Sequence, residues 1–227
     1  MINGIRFGNY HSYNDFGLIL SSVHIPPAIP KTNYVDIPGA DGQLDLTEAL
    51  GCVRYQMREA EFVFTTKPGY DIELTKRLVS NALNGLYCNI IVEKDPEYYW
   101  QGRLTVSAYG YEYPVDKITI KATLKPYKLK HNLTVASISN IPYGSSFATS
   151  VFCSNDCMPT KPTFINESSN RAIVINLNGY TQTLGPNKIV SYDDVIFSKG
   201  INTVKVHTLT TTPESKPLII KYREGSL

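Results

Sequence analysis

Asp36-Ile37-Pro38-Gly39-Ala40-Asp41-Gly42-Gln43-Leu44-Asp45-Leu46-Thr47-Glu48 is the most informative stretch of this chain. Two short alternating arms flank a turn-rich tip. The arms are Tyr34-Val35-Asp36-Ile37 and Leu44-Asp45-Leu46, and the tip is Pro38-Gly39-Ala40-Asp41-Gly42. Proline presets φ near about −65°, and glycine takes the positive φ of tight reversals without steric cost. The segment therefore reads as a β-hairpin with a polar end. Its arms carry too few apolar residues to build a core. A two-stranded hairpin of this kind is marginal alone and needs a surface to lie on. That surface is either its own domain or a neighbouring subunit.

Outward from the hairpin the chain reads as strands. Residues 16–24 form one, ended by Ile25-Pro26-Pro27-Ala28-Ile29-Pro30, because proline cannot sit in a central ladder. A second strand spans 55–66 and stops at Lys67-Pro68-Gly69. Residues 71–83 break the pattern. Leu74, Leu78 and Ala82 recur at helical spacing, with Val79 and Leu83 beside them. Asp71 suits the N-cap and Gly85 the C′ position. This is the one substantial helix expected, an amphipathic cover for a sheet. Residues 102–111 and 117–125 alternate apolar and polar side chains, as half-buried antiparallel strands do. The first half is thus expected to be a β-sandwich or split barrel with one α-helix and a protruding hairpin.

Pro126-Tyr127-Lys128-Leu129-Lys130 marks a boundary, placing one domain at 1–128 and another at 129–227. Beyond it charge falls and Ser, Thr and Asn rise. Residues 1–128 hold 13 basic and 14 acidic side chains, and residues 129–227 hold 9 and 6, giving −1 and +3 and the total of +2. Neither half is charged enough to argue for nucleic-acid or anionic-membrane binding. Ile173-Val174-Ile175-Asn176-Leu177 and Tyr180-Thr181-Gln182-Thr183-Leu184 flank Asn178-Gly179, a strong hairpin signal. Alternating strands follow at 199–207 and 218–222. Short strands at this spacing fit a jelly-roll sandwich.

With 227 residues, 42% apolar and 19% charged, the chain is ordinary for a globular protein and rich enough to bury a core. Its 16 Tyr and 8 Phe, with many Val, Ile and Thr, favour strands. The start carries no basic and apolar signal pattern, and no stretch approaches the roughly 20 apolar residues of a membrane helix. The expectation is therefore a protein kept in a reducing cytoplasm until assembly or lysis, with no membrane association.

No catalytic constellation emerges: no nucleophile elbow, no phosphate loop, no His-Glu-x-x-His. The expectation is no enzyme, no cofactor and no metal. Cys153 and Cys157 have C-x₃-C spacing, but His131 and His207 do not complete a metal set. Cys88, in Leu86-Tyr87-Cys88-Asn89-Ile90-Ile91-Val92, reads as a small core residue. Asp193-Asp194 reads as a solvated turn, since glycosidase carboxylates act from separated positions. Tyr98-Tyr99-Trp100 and Tyr109-Gly110-Tyr111-Glu112-Tyr113 read as core plus subunit contact, with sugar stacking as the competing role. Asn132-Leu133-Thr134 and Asn166-Glu167-Ser168 match the glycosylation pattern and are read as chance.

A family resemblance joins these pieces. Ile2-Asn3-Gly4-Ile5-Arg6-Phe7-Gly8 opens the chain, and Phe16-Gly17-Leu18-Ile19-Leu20 follows. Then come Ile37-Pro38-Gly39-Ala40-Asp41-Gly42 and Arg58-Glu59-Ala60-Glu61-Phe62-Val63-Phe64. In order and spacing, over roughly the first 128 residues, this series resembles the distal tail protein of long, flexible-tailed bacteriophages or prophages. The resemblance implies a homo-hexameric ring, built by the first domain around a DNA channel without sequence-specific binding. It implies an outward, galectin-like second domain holding receptor-binding or baseplate parts. It places a tail tube protein above the ring and a tail-associated lysin or fibre protein below. The location implied is the virion tail tip, reached from the bacterial cytoplasm. Subunit-contact candidates are Asp36, Ile37, Pro38, Gly39, Asp41, Gly42, Leu44 and Leu46 of the hairpin, then Tyr109, Tyr111 and Tyr113. The competing function is a carbohydrate-binding module that attaches to cell-wall sugar through the jelly-roll half.

Overall fold

The computed structural model describes residues 4–49, 51–112, 115–153, 158–177, 179–211 and 216–227. The chain folds as two compact units, Met1–Lys128 and Leu129–Leu227.

Alternation along the chain builds the first unit. Its strands are β1 (Ile5–Phe7), β2 (Tyr10–His11), β3 (Leu18–His24), β4 (Tyr34–Asp36), β5 (Gln43–Asp45), β6 (Arg58–Thr66), β7 (Tyr87–Val92), β8 (Tyr98–Glu112) and β9 (Val115–Leu124). Seven of them form one antiparallel sheet in the order β2-β1-β7-β8-β9-β6-β3. The inward residues of β6 are Ala60, Phe62 and Phe64, and those of β9 are Ile118, Ile120, Ala122 and Leu124. The sheet curls on itself. In a flat sheet, β1 and β6 would lie four strand spacings apart, about 19 Å. Yet Phe7 on β1 meets Phe62 and Phe64 on β6 edge to face, with centroids 5.8 and 6.2 Å apart. This is the split-barrel form of the expected architecture. Trp100 is buried in the same core.

Two helices accompany the sheet. α1 (Ser12–Phe16) is a short turn that the sequence does not announce, and it takes Phe16 away from the strand expected to begin there. Its cap is His11, and Gly17 closes it in the left-handed conformation at φ 63°. α2 (Ile72–Leu83) is capped by Asp71, whose side chain accepts from the backbone N–H of Glu73 and Leu74 at 2.9 and 3.1 Å. Only part of the apolar face expected for α2 is buried. Thr75, Val79 and Leu83 face the core, whereas Leu74 and Leu78 stand exposed. Thr75 can be buried because its hydroxyl donates to the Asp71 carbonyl at 2.8 Å. The strand expected from residue 55 begins at Arg58, and Tyr55 pairs with Pro30 in an isolated bridge.

The chain enters the second unit at β10 (Lys128–Lys130) and ends with β19 (Gly225–Ser226). Between them lie β11 (Thr134–Ile138), β12 (Phe147–Cys153), β13 (Thr163–Asn166), β14 (Ile173–Leu177), β15 (Tyr180–Leu184), β16 (Lys188–Ser191), β17 (Gly200–Thr208) and β18 (Leu218–Tyr222). Two four-stranded antiparallel sheets form, β11-β18-β13-β16 and β12-β17-β14-β15. Numbered from β11, these orders are 1-8-3-6 and 2-7-4-5, the jelly-roll arrangement of interleaved Greek keys. Phe164, Phe197, Ile175, Val204, Val206 and Ile220 fill the space between the sheets. Asn178, at the tip between β14 and β15, lies outside the described residues, and the adjacent Gly179 takes φ 86°.

Candidate functional site

The hairpin forms where the sequence places it, with Tyr34 opposite Asp45, Val35 opposite Leu44 and Asp36 opposite Gln43. Its turn is closed by the Ala40 N–H donating to the Ile37 carbonyl at 3.1 Å. Gly39 and Gly42 supply φ of 83° and 77°. A Cβ added at either would meet nothing within 4 Å, so the glycines serve turn conformation and not close packing. Gln43 Nε2 donates to Asp36 Oδ1 at 2.9 Å across the strands. Asp45 accepts from the Thr47 N–H at 2.8 Å, and bonds to Thr47 hold its carboxyl below the usual range.

The hairpin stands on a longer arm. Lys31 N–H donates to the Arg54 carbonyl at 2.7 Å, Gln56 N–H to Ile29 at 2.9 Å and Leu46 N–H to Asn33 at 2.8 Å. At about 3.3 Å per residue, the path from Pro30 to the tip at Gly39 reaches up to about 30 Å. Every residue from 29 to 45 is exposed, and Leu46 is half-buried. The backbone ladder therefore holds the arm together, since no core does. Paired residues share a face. Val35, Ile37, Leu44 and Leu46 fall on one face, and Tyr34, Asp36, Gln43 and Asp45 on the other.

The root of the arm is fixed to the first unit by Arg58. Its Nη1 donates to the Pro26 carbonyl at 3.1 Å, and its guanidinium lies 4.9 Å from the Trp100 ring centroid. The remaining nitrogens, Nε and Nη2, are buried with no partner among the described residues. Desolvation lowers the pKa of this group.

The aromatic candidates divide. Tyr109 is 41% exposed, but its hydroxyl donates to the Lys76 carbonyl at 3.0 Å and contacts Ser80 Oγ. It ties β8 to α2. Tyr111 lies on β8 opposite Asp116, and Tyr113 lies outside the described residues. Tyr99 and Trp100 are core residues, and Tyr98 packs under the Lys128 ammonium at 4.3 Å. That cluster is therefore used inside the fold. Cys153 is buried, and Cys157 lies outside the described residues. Asp193 pairs with Lys161 at 2.7 Å, which lowers its pKa, on a fully solvated turn. Asn166 is buried and donates to the Arg171 carbonyl at 2.7 Å, so this glycosylation pattern is sterically closed. Sequence reasoning missed Arg58. Its only signal was a cation opening an otherwise alternating strand.

No protein-family model matches the chain. No curated protein matches it either. Among solved structures, the SPP1 Dit (gp 19.1) protein aligns over 100% of both chains, with a TM-score of 0.71 at 13% identity. The chain has the Dit fold. That protein is described as a paradigm of the hub adsorption apparatus in Gram-positive infecting phages. Full coverage of both chains means that the Dit fold accounts for the split barrel and the jelly roll together.

Proposed function

We propose that the chain is a structural component of a phage tail tip. It assembles as a hexameric ring that links the tail tube to tail-tip and receptor-binding proteins. The observation that carries this reading is an arm of 17 consecutive exposed residues, 29–45, on a chain whose whole length follows the Dit fold. A monomer gains nothing from a ladder of residues with no core to lie on. A ring gives the arm a surface, because a heterologous contact repeated around a closed ring uses the same two patches at every interface.

In this reading the unit Met1–Lys128 builds the ring and the unit Leu129–Leu227 carries attachment functions. DNA passes through the ring without sequence-specific contacts, consistent with a net charge of only +2. The role is structural and not catalytic. The protein is made in the bacterial cytoplasm and ends in the virion. Negative-stain imaging of the purified chain tests this, with six-fold rings as the expected class average. Particles without rotational symmetry, together with a gel shift on cell-wall sugar, would favour the carbohydrate-binding module instead.

A further inference from the structure

Two exposed apolar faces of the first unit have no partner among its described residues. One is the hairpin face, where Val35, Ile37 and Leu44 are 42 to 47% exposed. The other is a stripe on α2, where Leu74 and Leu78 are 45 and 47% exposed. Leu74 and Leu78 are one helical turn apart, and Arg77 shares their side of the helix. The opposing row Thr75, Val79 and Leu83 is the one committed to the core. A helix of 12 residues thus keeps a second apolar row in water.

Charge on the two faces is complementary. Asp41 stands exposed at the hairpin tip, between Asp36 and Asp45, which already bond Gln43 and Thr47. Arg77 is exposed on α2, while the neighbouring Lys76 is taken by Glu73 at 2.8 Å. Neither Asp41 nor Arg77 has a partner among the described residues. We infer that the occupant of the α2 stripe is the hairpin of a second copy. Val35, Ile37 and Leu44 lie on Leu74 and Leu78, and Asp41 faces Arg77. The patches differ, so the contact is heterologous and propagates from copy to copy until the ring closes. This inference rests on the ring reading and names the surface that receives the arm.

Mixed disulfide trapping tests it on the full chain. A Leu44→Cys variant is mixed with a Leu78→Cys variant, oxidised and run on a non-reducing gel, with each variant alone setting the background of the native cysteines. A cross-linked dimer in the mixture above that background is expected. A second variant, Leu74→Ser with Leu78→Ser, should keep a cooperative melt, because both side chains are exposed in the single chain, yet lose the assembled mass. Pairing Arg77→Asp with Asp41→Arg should recover assembly that Arg77→Asp alone weakens. If the parent assembles but the mixture gives no cross-link and the serine variant keeps full mass, the arm docks elsewhere and only this inference fails. If the parent stays monomeric at every concentration, the ring reading falls and the docking with it.

Discussion

Glu93 holds the N-terminal corner of the first unit. It accepts from the Gly4 N–H at 2.6 Å and faces His11 Nε2 at 2.8 Å. The other ring nitrogen, Nδ1, receives the Tyr13 and Asn14 N–H groups at 3.1 and 3.3 Å. Those groups only donate, so Nδ1 is the acceptor and the ring proton sits on Nε2, towards Glu93. The His11 bond first, then that of Gly4, holds the Glu93 carboxyl below its ordinary 4.5. A depressed carboxylate contributes stability above its unfolded pKa, and that contribution is lost as pH falls through the folded value. Glu93→Gln should therefore lower Tm more at pH 7 than near pH 3, as read by circular dichroism. An equal drop at both values would contradict this. Burial pushes the Cys88 thiol up to about 11. At pH 7.5 it is almost wholly protonated, so brief iodoacetamide treatment of the folded chain should leave Cys88 unmodified by mass spectrometry. Rapid labelling would mean the site is open. Tyr99 and Trp100 were legible as core from the aromatic cluster they sit in. The unpartnered nitrogens of Arg58 were not, because they depend on how the arm's root at Pro26 returns over the sheet.

At the scale of elements, α2 was legible in place and in its buried Val79 and Leu83, but not in its exposed Leu74 and Leu78. Leu74 and Leu78 are as apolar as Val79 and Leu83, so composition alone could not say which of them the core takes. The threonine enters the core because the backbone of Asp71 takes its hydroxyl. Leu83→Ala should cost about 2–5 kcal/mol of stability, and Leu78→Ala should stay within about 0.5 kcal/mol in the dissociated chain. Equal costs in chemical denaturation would return the Leu74 row to the core. α1 was illegible for a different reason. It has only five residues, and its cap is a histidine instead of a Ser, Thr, Asp or Asn. The hairpin was fully legible, because turn chemistry at Pro38, Gly39 and Gly42 is local. What the arm rests on is not local, and no periodicity encodes it.

At the scale of the molecule, two cores form with no shared residue, one around Phe62 and one around Phe164. Phe164→Ala should remove about 3–5 kcal/mol from the second unit and shift one of two calorimetric transitions, leaving the other in place. A single transition that moves as a whole would mean that the units unfold together. The jelly-roll order was legible only as short strands at regular spacing, since pairing such as β11 with β18 joins residues far apart in sequence. In the proposed function the exposed arm makes the ring. Light scattering on the parent chain, and on a variant with residues 38–42 replaced by a flexible linker, measures it directly. Loop changes cost little fold stability, so the variant should still melt cooperatively, lowered only by the stabilisation that assembly gives the parent. The parent should have the mass of six copies of the 25.4 kDa chain, about 152 kDa, and the variant that of one. A variant that melts like the parent and still has the full assembled mass would contradict the account.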